Sequence, residues 1–165
     1  VDLFIDAARR VLAERSDVRF AVFGLGSQEE ALRQSAADLG ESIRFMGFCG
    51  EIEQALGLLD AAVVSSRSEA FCLSAAEALS MGTPVAAFDV DGVGEVVRDG
   101  QTGLLAPAGN TAALAERIVR LLDDAALRER LGRDGRALVL REFTAQTMVR
   151  KTEALYERLL KRKGK

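Results

Sequence analysis

The stretch AAVVSSRSEAFCLSAAEALSMGTPVAAF (Ala61–Phe88) decides how the rest of the chain is read. AAVVSS (Ala61–Ser66) is a short apolar run closed by hydroxyls, which reads as a buried strand. Helical spacing takes over at Cys72 or Leu73 and stops at Gly82, a residue suited to closing a last helical turn. Thr83-Pro84 turns the chain, and Val85–Phe88 is a second apolar strand. Strands that are apolar throughout, joined through a helix, belong to a parallel sheet covered on both faces. Two glutamates, Glu69 and Glu77, stand in this unit among Ala, Phe, Cys, Leu, Met and Val. Carboxylates are rarely buried without a partner, so either both reach water or something polar meets them.

The same alternation continues outward in both directions. Upstream, Leu3, Phe4, Ala7, Ala8, Val11 and Leu12 recur at helical spacing. VRFAVFG (Val18–Gly24) is a buried strand, followed by the turn GLGSQ and a helix over Gln28–Leu39. SIRFMGF carries the next strand, ending at Gly47, and Glu51–Leu59 reads as a helix. Downstream, Gly100–Gly103 is a turn and Leu104–Ala106 a short strand. Three helices follow: one capped by Asn110 and carrying Leu114, Ile118, Leu121 and Leu122, one over Ala125–Leu140, and one over Thr144–Leu160. The last gathers Met148, Val149, Leu155, Tyr156, Leu159 and Leu160 on one face.

A doubly wound α/β sheet follows, and ligands of such sheets bind outside the carboxyl ends of the strands. GLGSQ, GFCG and SRSEAF all fall at that edge. The chain opens on a helix, whereas a doubly wound domain opens on a strand that in the Rossmann order is central. The reading is therefore of a Rossmann-like α/β domain lacking its first strand.

Length and composition bound the function. The 165 residues make a single domain, 48% hydrophobic and 28% charged, which fits a globular chain and not a disordered one. Net charge is −3, so no global field attracts nucleic acid. From Arg141 onward eight Lys or Arg face three Asp or Glu. Peripheral membrane contact by this basic tail is the weaker reading, because helices commonly end in cations for dipole reasons alone. With no histidine and only Cys49 and Cys72, Cys–His and Ser–His–Asp chemistry within the chain are excluded. Two cysteines make no disulfide framework and point to a reducing, cytoplasmic setting. No apolar run approaches a membrane span.

The motifs sort quickly. Gly24-Leu25-Gly26 follows a strand, but the third glycine of a dinucleotide fingerprint is replaced by Glu29, which would repel a pyrophosphate. Asp89-Val90-Asp91 is a DxD triplet, and Asp-Gly after a strand is ordinary turn chemistry, so no metal is assigned. The glutamates admit two readings. A helix starting at Cys72 or Leu73 exposes the amides of Phe71, Cys72, Leu73 and Ser74 as an anion site suited to a diphosphate. Glu77 would then accept from a vicinal diol such as a ribose, and Glu69 would face whatever lies beyond the phosphates. In the structural reading Glu69 caps or pairs with Arg67, and Glu77, in a helix buried nearly all round, meets a buried Arg or backbone amides. Spacing alone favours the structural reading.

The stretch EAFCLSAAEALSMGTPVAA resembles the signature of the group 1 retaining GT-B glycosyltransferases: a glutamate, seven residues, a second glutamate, a small helix end, then Gly-x-Pro-Val. FGLGSQEEALRQSAADLG, IRFMGF, LLDAAVVSSRSE, GVGEVVRDGQTGLLAP and the tail ending ALYERLL resemble the C-terminal half of that family in order. The resemblance implies the donor-binding, C-terminal half of a GT-B fold spanning residues 1–165. It implies an enzyme, a hexosyltransferase that moves a sugar from a UDP, GDP or ADP sugar to a glycan, lipid or small-molecule acceptor, with no cofactor and no metal. Glu69 would bind donor-sugar hydroxyls and is the leading candidate for any catalytic role. Phe71, Cys72, Leu73 and Ser74 would hold the diphosphate and Glu77 the ribose. Gly47, Phe48 and Cys49 would lie beside the base, and Gly24 and Gly26 near the phosphates.

The family usually has Gly where Cys72 stands, and a Gly-Gly pair where this chain has Asp91-Gly92. Its diphosphate-neutralising Arg and Lys precede the helix on which this chain opens. Helix 144–163 would pack toward an N-terminal acceptor domain and, without it, promote self-association. The fragment alone would then be inactive. The alternative is a stand-alone nucleotide-binding or interaction module without catalysis.

Overall fold

The computed structural model describes residues 1–163, the side chain of Lys163 excepted. Eight α-helices, one 3-10 segment and five strands alternate along these described residues. Helix α1 (Asp2–Glu14) leads to β1 (Phe20–Phe23), α2 (Glu29–Ser35), a 3-10 segment (Ala37–Ser42) and β2 (Ile43–Gly47). Helix α3 (Ile52–Gly57), β3 (Ala62–Val64), α4 (Leu73–Ser80), β4 (Val85–Asp89), α5 (Val93–Val96) and β5 (Gly103–Pro107) follow. The chain finishes in α6 (Thr111–Asp123), α7 (Ala125–Glu142) and α8 (Ala145–Lys163).

All pairings are parallel, as the uninterrupted apolar strands require. β1 pairs with β2, with Phe20 opposite Ile43. β3, β4 and β5 form a second sheet in that order, Ala62 opposite Val85 and Val85 opposite Gly103. The strands thus divide into a two-stranded and a three-stranded sheet, and β1 does not pair with β3.

β4 shows why the sequence folds this way. Ala86 and Phe88 point into one core with Ile5, Val11, Leu114, Ile118 and Leu121 of α1 and α6. Val85 and Ala87 point into another with Ala75, Leu79, Val93, Val96 and Val139 of α4, α5 and α7. Alternate side chains of one strand therefore feed two cores, so the strand has no polar face. Asn110 caps α6, its Oδ1 accepting from the Ala113 N–H at 3.0 Å, and Asp124 caps α7 in the same way from Leu127 at 2.8 Å.

Several boundaries differ from the sequence reading. The helix expected over Gln28–Leu39 stops at Ser35 and gives way to a 3-10 segment, because α2 buries none of its side chains and Gly40 adopts φ 52°. α3 is three residues shorter than Glu51–Leu59, and β1 is only Phe20–Phe23. Helix α5, a single turn too short for periodicity to signal, was not expected.

Candidate functional site

β3 delivers the chain to a loop, Ser65–Cys72, that carries Glu69 at the carboxyl edge of the sheet. Glu69 is half-buried, and Ser66 Oγ donates to its Oε1 at 2.7 Å. Arg67 is not its partner: the guanidinium donates instead to both carboxylate oxygens of Asp2, at 3.1 and 2.6 Å. The Gly92 N–H donates to the Glu69 carbonyl at 3.0 Å, and Ser68 Oγ donates to Asp91 Oδ2 at 3.0 Å. Two bonds therefore tie the Glu69 loop to the turn after β4.

The helix starts at Leu73, as its sequence indicates, with Cys72 at the N-cap position. Cys72 has φ 68° and ψ 67°, left-handed geometry, and its side chain makes no cap bond. Its sulfur lies 3.7 Å from Ser74 Oγ. Burial pushes this thiol above the ordinary cysteine range, so it is a neutral packing group and no thiolate. Cys72 and Asp91 are the non-glycine residues with positive φ among those described. They are the two positions where the group 1 pattern has glycine, so both departures fall where the backbone itself favours one.

Glu77 corrects the sequence reading. Helix α4 is not buried nearly all round: Ala75, Ala76, Ala78 and Leu79 are inside, while Leu73, Ser74, Glu77 and Met81 form an exposed stripe. Positions three and four apart share a helix face, so the Ser74 hydroxyl and the Glu77 carboxylate point to one side, while the first amides of the helix open at its N-terminal end. No buried arginine meets Glu77, and its carboxylate reaches solvent.

Across from this stripe, β1 and β2 end together. The Gly24 N–H donates to the Gly47 carbonyl at 2.8 Å, and both glycines have positive φ, 118° and 69°. Phe48 projects from that end with 79% of its surface exposed. A cavity of about 810 Å³ opens between the two groups. Its mouth is lined by Gly24, Phe48, Cys49, Ser65, Ser74 and Glu77. The structure brings these sequence-predicted residues together, while Gly26, Gly47, Glu69, Phe71, Cys72 and Leu73 do not line the cavity. Glu69 through Leu73 adjoin Ser74 along the chain, and Phe71 packs edge-on against Phe143 at 5.1 Å.

The cations lining the cavity, Arg15, Arg19 and Arg128, precede or face the amino ends of β1 and β3, so none lines the mouth among the described residues. The anion-directed groups there are amide N–H groups and a hydroxyl. Ser66 and Gly92 are contributors that sequence reasoning did not single out. A hydroxyl three residues before Glu69 was a readable signal for the first. The second needed the fold, because nothing local says that Gly92 meets a loop more than twenty residues upstream.

Residues 1–124 match the family described as Glycosyl transferases group 1, and the chain belongs to that family. Its fold is that of the C-terminal Rossmann-like domain of GT-B glycosyltransferases. It is 38% identical over 133 residues to a phosphatidyl-myo-inositol mannosyltransferase of Mycobacterium leprae, covering 79% of this chain and 35% of that protein. A Staphylococcus aureus TarM variant, solved in complex with ligands that include UDP, superposes with a TM-score of 0.87 at 25% identity. That match covers 94% of this chain and 32% of TarM. The C-terminal domain of LpcC, a group 1 family protein of Francisella tularensis, gives a TM-score of 0.77 at 26% identity, covering 87% of this chain and 79% of that domain. The chain thus spans about a third of the curated relative it matches. Among the described residues, no helix is long and apolar enough to cross a membrane.

Proposed function

We propose that this chain is the donor-binding half of a retaining glycosyltransferase and takes a nucleoside diphosphate sugar at the mouth described above. The observation that carries the proposal is the exposed stripe of α4, on which a helix N-terminus, Ser74 and Glu77 face the same cavity mouth as Gly24 and Phe48. A helix N-terminus binds phosphate through free N–H groups and its dipole. A solvent-reaching carboxylate one turn further on accepts from the two hydroxyls of a ribose, bonds worth about 1.5–3 kcal/mol each as charge-assisted contacts. Phe48 offers an exposed ring to a base, beside Cys49 and Gly47. Glu69, held by Ser66 and by the tie to Gly92, lies ahead of the phosphates where the donor sugar extends.

In the reaction, the bond from the sugar's anomeric carbon to the diphosphate oxygen breaks and a bond to an acceptor hydroxyl forms on the same face. The chain's own contribution is orientation of the donor, with N–H groups stabilising the charge that grows on the departing diphosphate. The acceptor hydroxyl's proton passes to the departing diphosphate oxygen, so neither glutamate needs to exchange a proton for this. The acceptor belongs to a second, N-terminal domain, onto which the exposed apolar face of α8 (Met148, Tyr156 and Leu160 among others) packs. The isolated chain therefore binds donor without turning it over.

Thermal unfolding with UDP, GDP and ADP tests the binding claim. Ligand at 100 times its Kd stabilises by about 2.7 kcal/mol, which is about 5–10 °C for a chain of this size. One base should produce the shift, and Glu77→Ala should remove it while leaving the ligand-free melting point unchanged. No shift with any nucleotide, or equal shifts in Glu77→Ala and Glu69→Ala, would overturn the proposal.

A further inference from the structure

In the loop Ser65–Cys72, the residues flanking Glu69 are exposed: Arg67 and Ser68 before it, Ala70 after it. Such a segment buries little surface, so few contacts hold it in one shape. The turn after β4 is the opposite case. Val85–Phe88 before it, and Val93, Val96 and Val97 after it, are fully shielded from solvent. The Val93 N–H donates to the Val90 carbonyl at 2.9 Å, which closes the turn on itself. At its tip Asp91 is exposed and has φ 29°, a backbone that glycine takes freely and aspartate takes at a conformational cost. Arg67, the cation within the loop, is engaged by Asp2. The Asp91 carboxylate instead holds the loop by a hydroxyl, its Oδ2 accepting from Ser68 Oγ at 3.0 Å.

We infer that Asp91 is a positioning residue for Glu69, fixing its loop through Ser68 so that the carboxylate stands ready for the donor sugar. The inference rests on the donor-site reading for what Glu69 touches, and adds what holds Glu69 in place. Glu69 is gripped on both sides. Ser68, just before it, is held through its hydroxyl by Asp91, and the Glu69 carbonyl accepts from the Gly92 N–H at 3.0 Å. A single hydrogen bond leaves a segment free to pivot about it, and a second on the adjacent residue removes that freedom. Both anchors stand side by side on one turn rooted in the core, so the loop moves only with the core. Ser66 then selects the side-chain rotamer. Its Oγ donates to Glu69 Oε1 at 2.7 Å, an arrangement that leaves Oε2 for a sugar hydroxyl.

A carboxylate on a loose loop must be ordered when its ligand arrives, and that cost is subtracted from affinity. Ordering it beforehand removes the loss. Glycine, the residue of the group 1 pattern at this position, makes the turn more easily but offers Ser68 no acceptor. Asparagine serves both needs, since it tolerates the same backbone and its side-chain carbonyl accepts. Replacing Asp91 by glycine therefore relieves the backbone while freeing the loop. Stability and sugar recognition should then part company, which a contact serving stability alone would not bring about.

Calorimetric titration of the polypeptide reads this as a ratio: the Kd for UDP-glucose, GDP-mannose or ADP-glucose over the Kd for the matching bare diphosphate. Glu69→Ala sets the ratio reached when the carboxylate is lost. Asp91→Gly and Ser68→Ala should each raise the parent ratio by about tenfold toward that limit. The double variant should go no further than either single one, because both break the same bond. Asp91→Asn should stay within about twofold of the parent ratio. Bare diphosphates should bind the Asp91 and Ser68 variants as they bind the parent, and Asp91→Gly should melt no lower than the parent. A parent that binds no diphosphate would sink the donor-site reading, and the use assigned to Glu69 with it. Diphosphate binding with a ratio that Asp91→Gly leaves unmoved overturns this inference alone. So does a ratio that Asp91→Gly changes and Ser68→Ala does not, since the carboxylate would then act on the sugar directly. The ligand-free protein supplies an independent reading. Amide order parameters at Ser68 and Glu69 should lie near about 0.85 in the parent and fall below about 0.6 in Asp91→Gly and Ser68→Ala. Rigid amides in both variants would overturn the inference whether or not any nucleotide binds.

Discussion

Gly92→Ala should both destabilise the domain and move Glu69. Gly92 has φ −71° and ψ −3°, a conformation open to any residue, so no backbone strain enters. The obstacle is contact: a Cβ at this position would lie 2.1 Å from the Ala70 carbonyl oxygen and 2.7 Å from its carbon. Restoring ordinary separation displaces the Ala70 peptide by about 1 Å, and that peptide follows Glu69 directly. Overpacking of this kind costs about 1–3 kcal/mol, and stretching the Gly92–Glu69 bond adds about 1 kcal/mol, for a total of about 2–4 kcal/mol. Gly94→Ala is the control, two residues on in α5 and exposed, its nearest obstacle Asp89 Oδ1 at 4.0 Å. It should change stability by less than about 0.5 kcal/mol or raise it slightly through helix propensity. Urea denaturation followed by circular dichroism gives both numbers. The reasoning is refuted if Gly92→Ala unfolds within about 0.5 kcal/mol of the parent, or if a structure of the variant shows Glu69 unmoved.

Three further outcomes are expected. Cys72→Gly should be more stable than Cys72→Ala by about 1 kcal/mol in the same denaturation assay, because both remove the sulfur but only glycine accepts φ 68° freely. Asn110→Ala should cost about 1 kcal/mol through loss of the cap on the Ala113 amide, and Asn110→Gly should cost less. The Arg67 hydrogen bond holds the Asp2 carboxyl down to about 2, below its ordinary 3.8. A depressed folded pKa means the contribution is complete above about pH 4 and is lost as pH falls toward 2. Both side chains are more than half exposed, so the pair is worth at most about 1 kcal/mol, and Asp2→Asn should flatten the acid limb of a pH–stability curve by no more than that.

How far the sequence could be read depended on whether the information was local. VAAF at Val85–Phe88 announces a strand with two buried faces, and Asn110 announces a helix start, because alternation and capping act over a few residues. The loop-to-helix boundary at Leu73 was legible for the same reason. Glu77 was misjudged because its sequence neighbours are Ala, Leu and Met, whereas its spatial neighbours on the helix face are Leu73, Ser74 and Met81. Counting in threes and fours would have separated the buried Ala75, Ala76, Ala78 and Leu79 from that exposed stripe. The tie between Gly92 and Glu69, and the exchange of an expected Glu69–Arg67 pair for one between Arg67 and Asp2, are tertiary. They depend on where β4 and α1 come to rest, which no local pattern encodes. Cys72 and Asp91 lie between these cases: the family pattern marks both as glycine positions, and only the structure shows the left-handed backbone that explains why.

The most direct test of the donor-site account is a backbone amide NMR titration of the polypeptide with UDP, GDP or ADP, whichever base stabilises it. The account predicts that the largest shifts fall on Leu73, Ser74 and Ala75 at the start of α4, with Glu77, Gly24 and Phe48 following at the same Kd. Shifts confined to the groove between α1 and α6, around Arg10 and Arg120, or the absence of any response at α4, would contradict it.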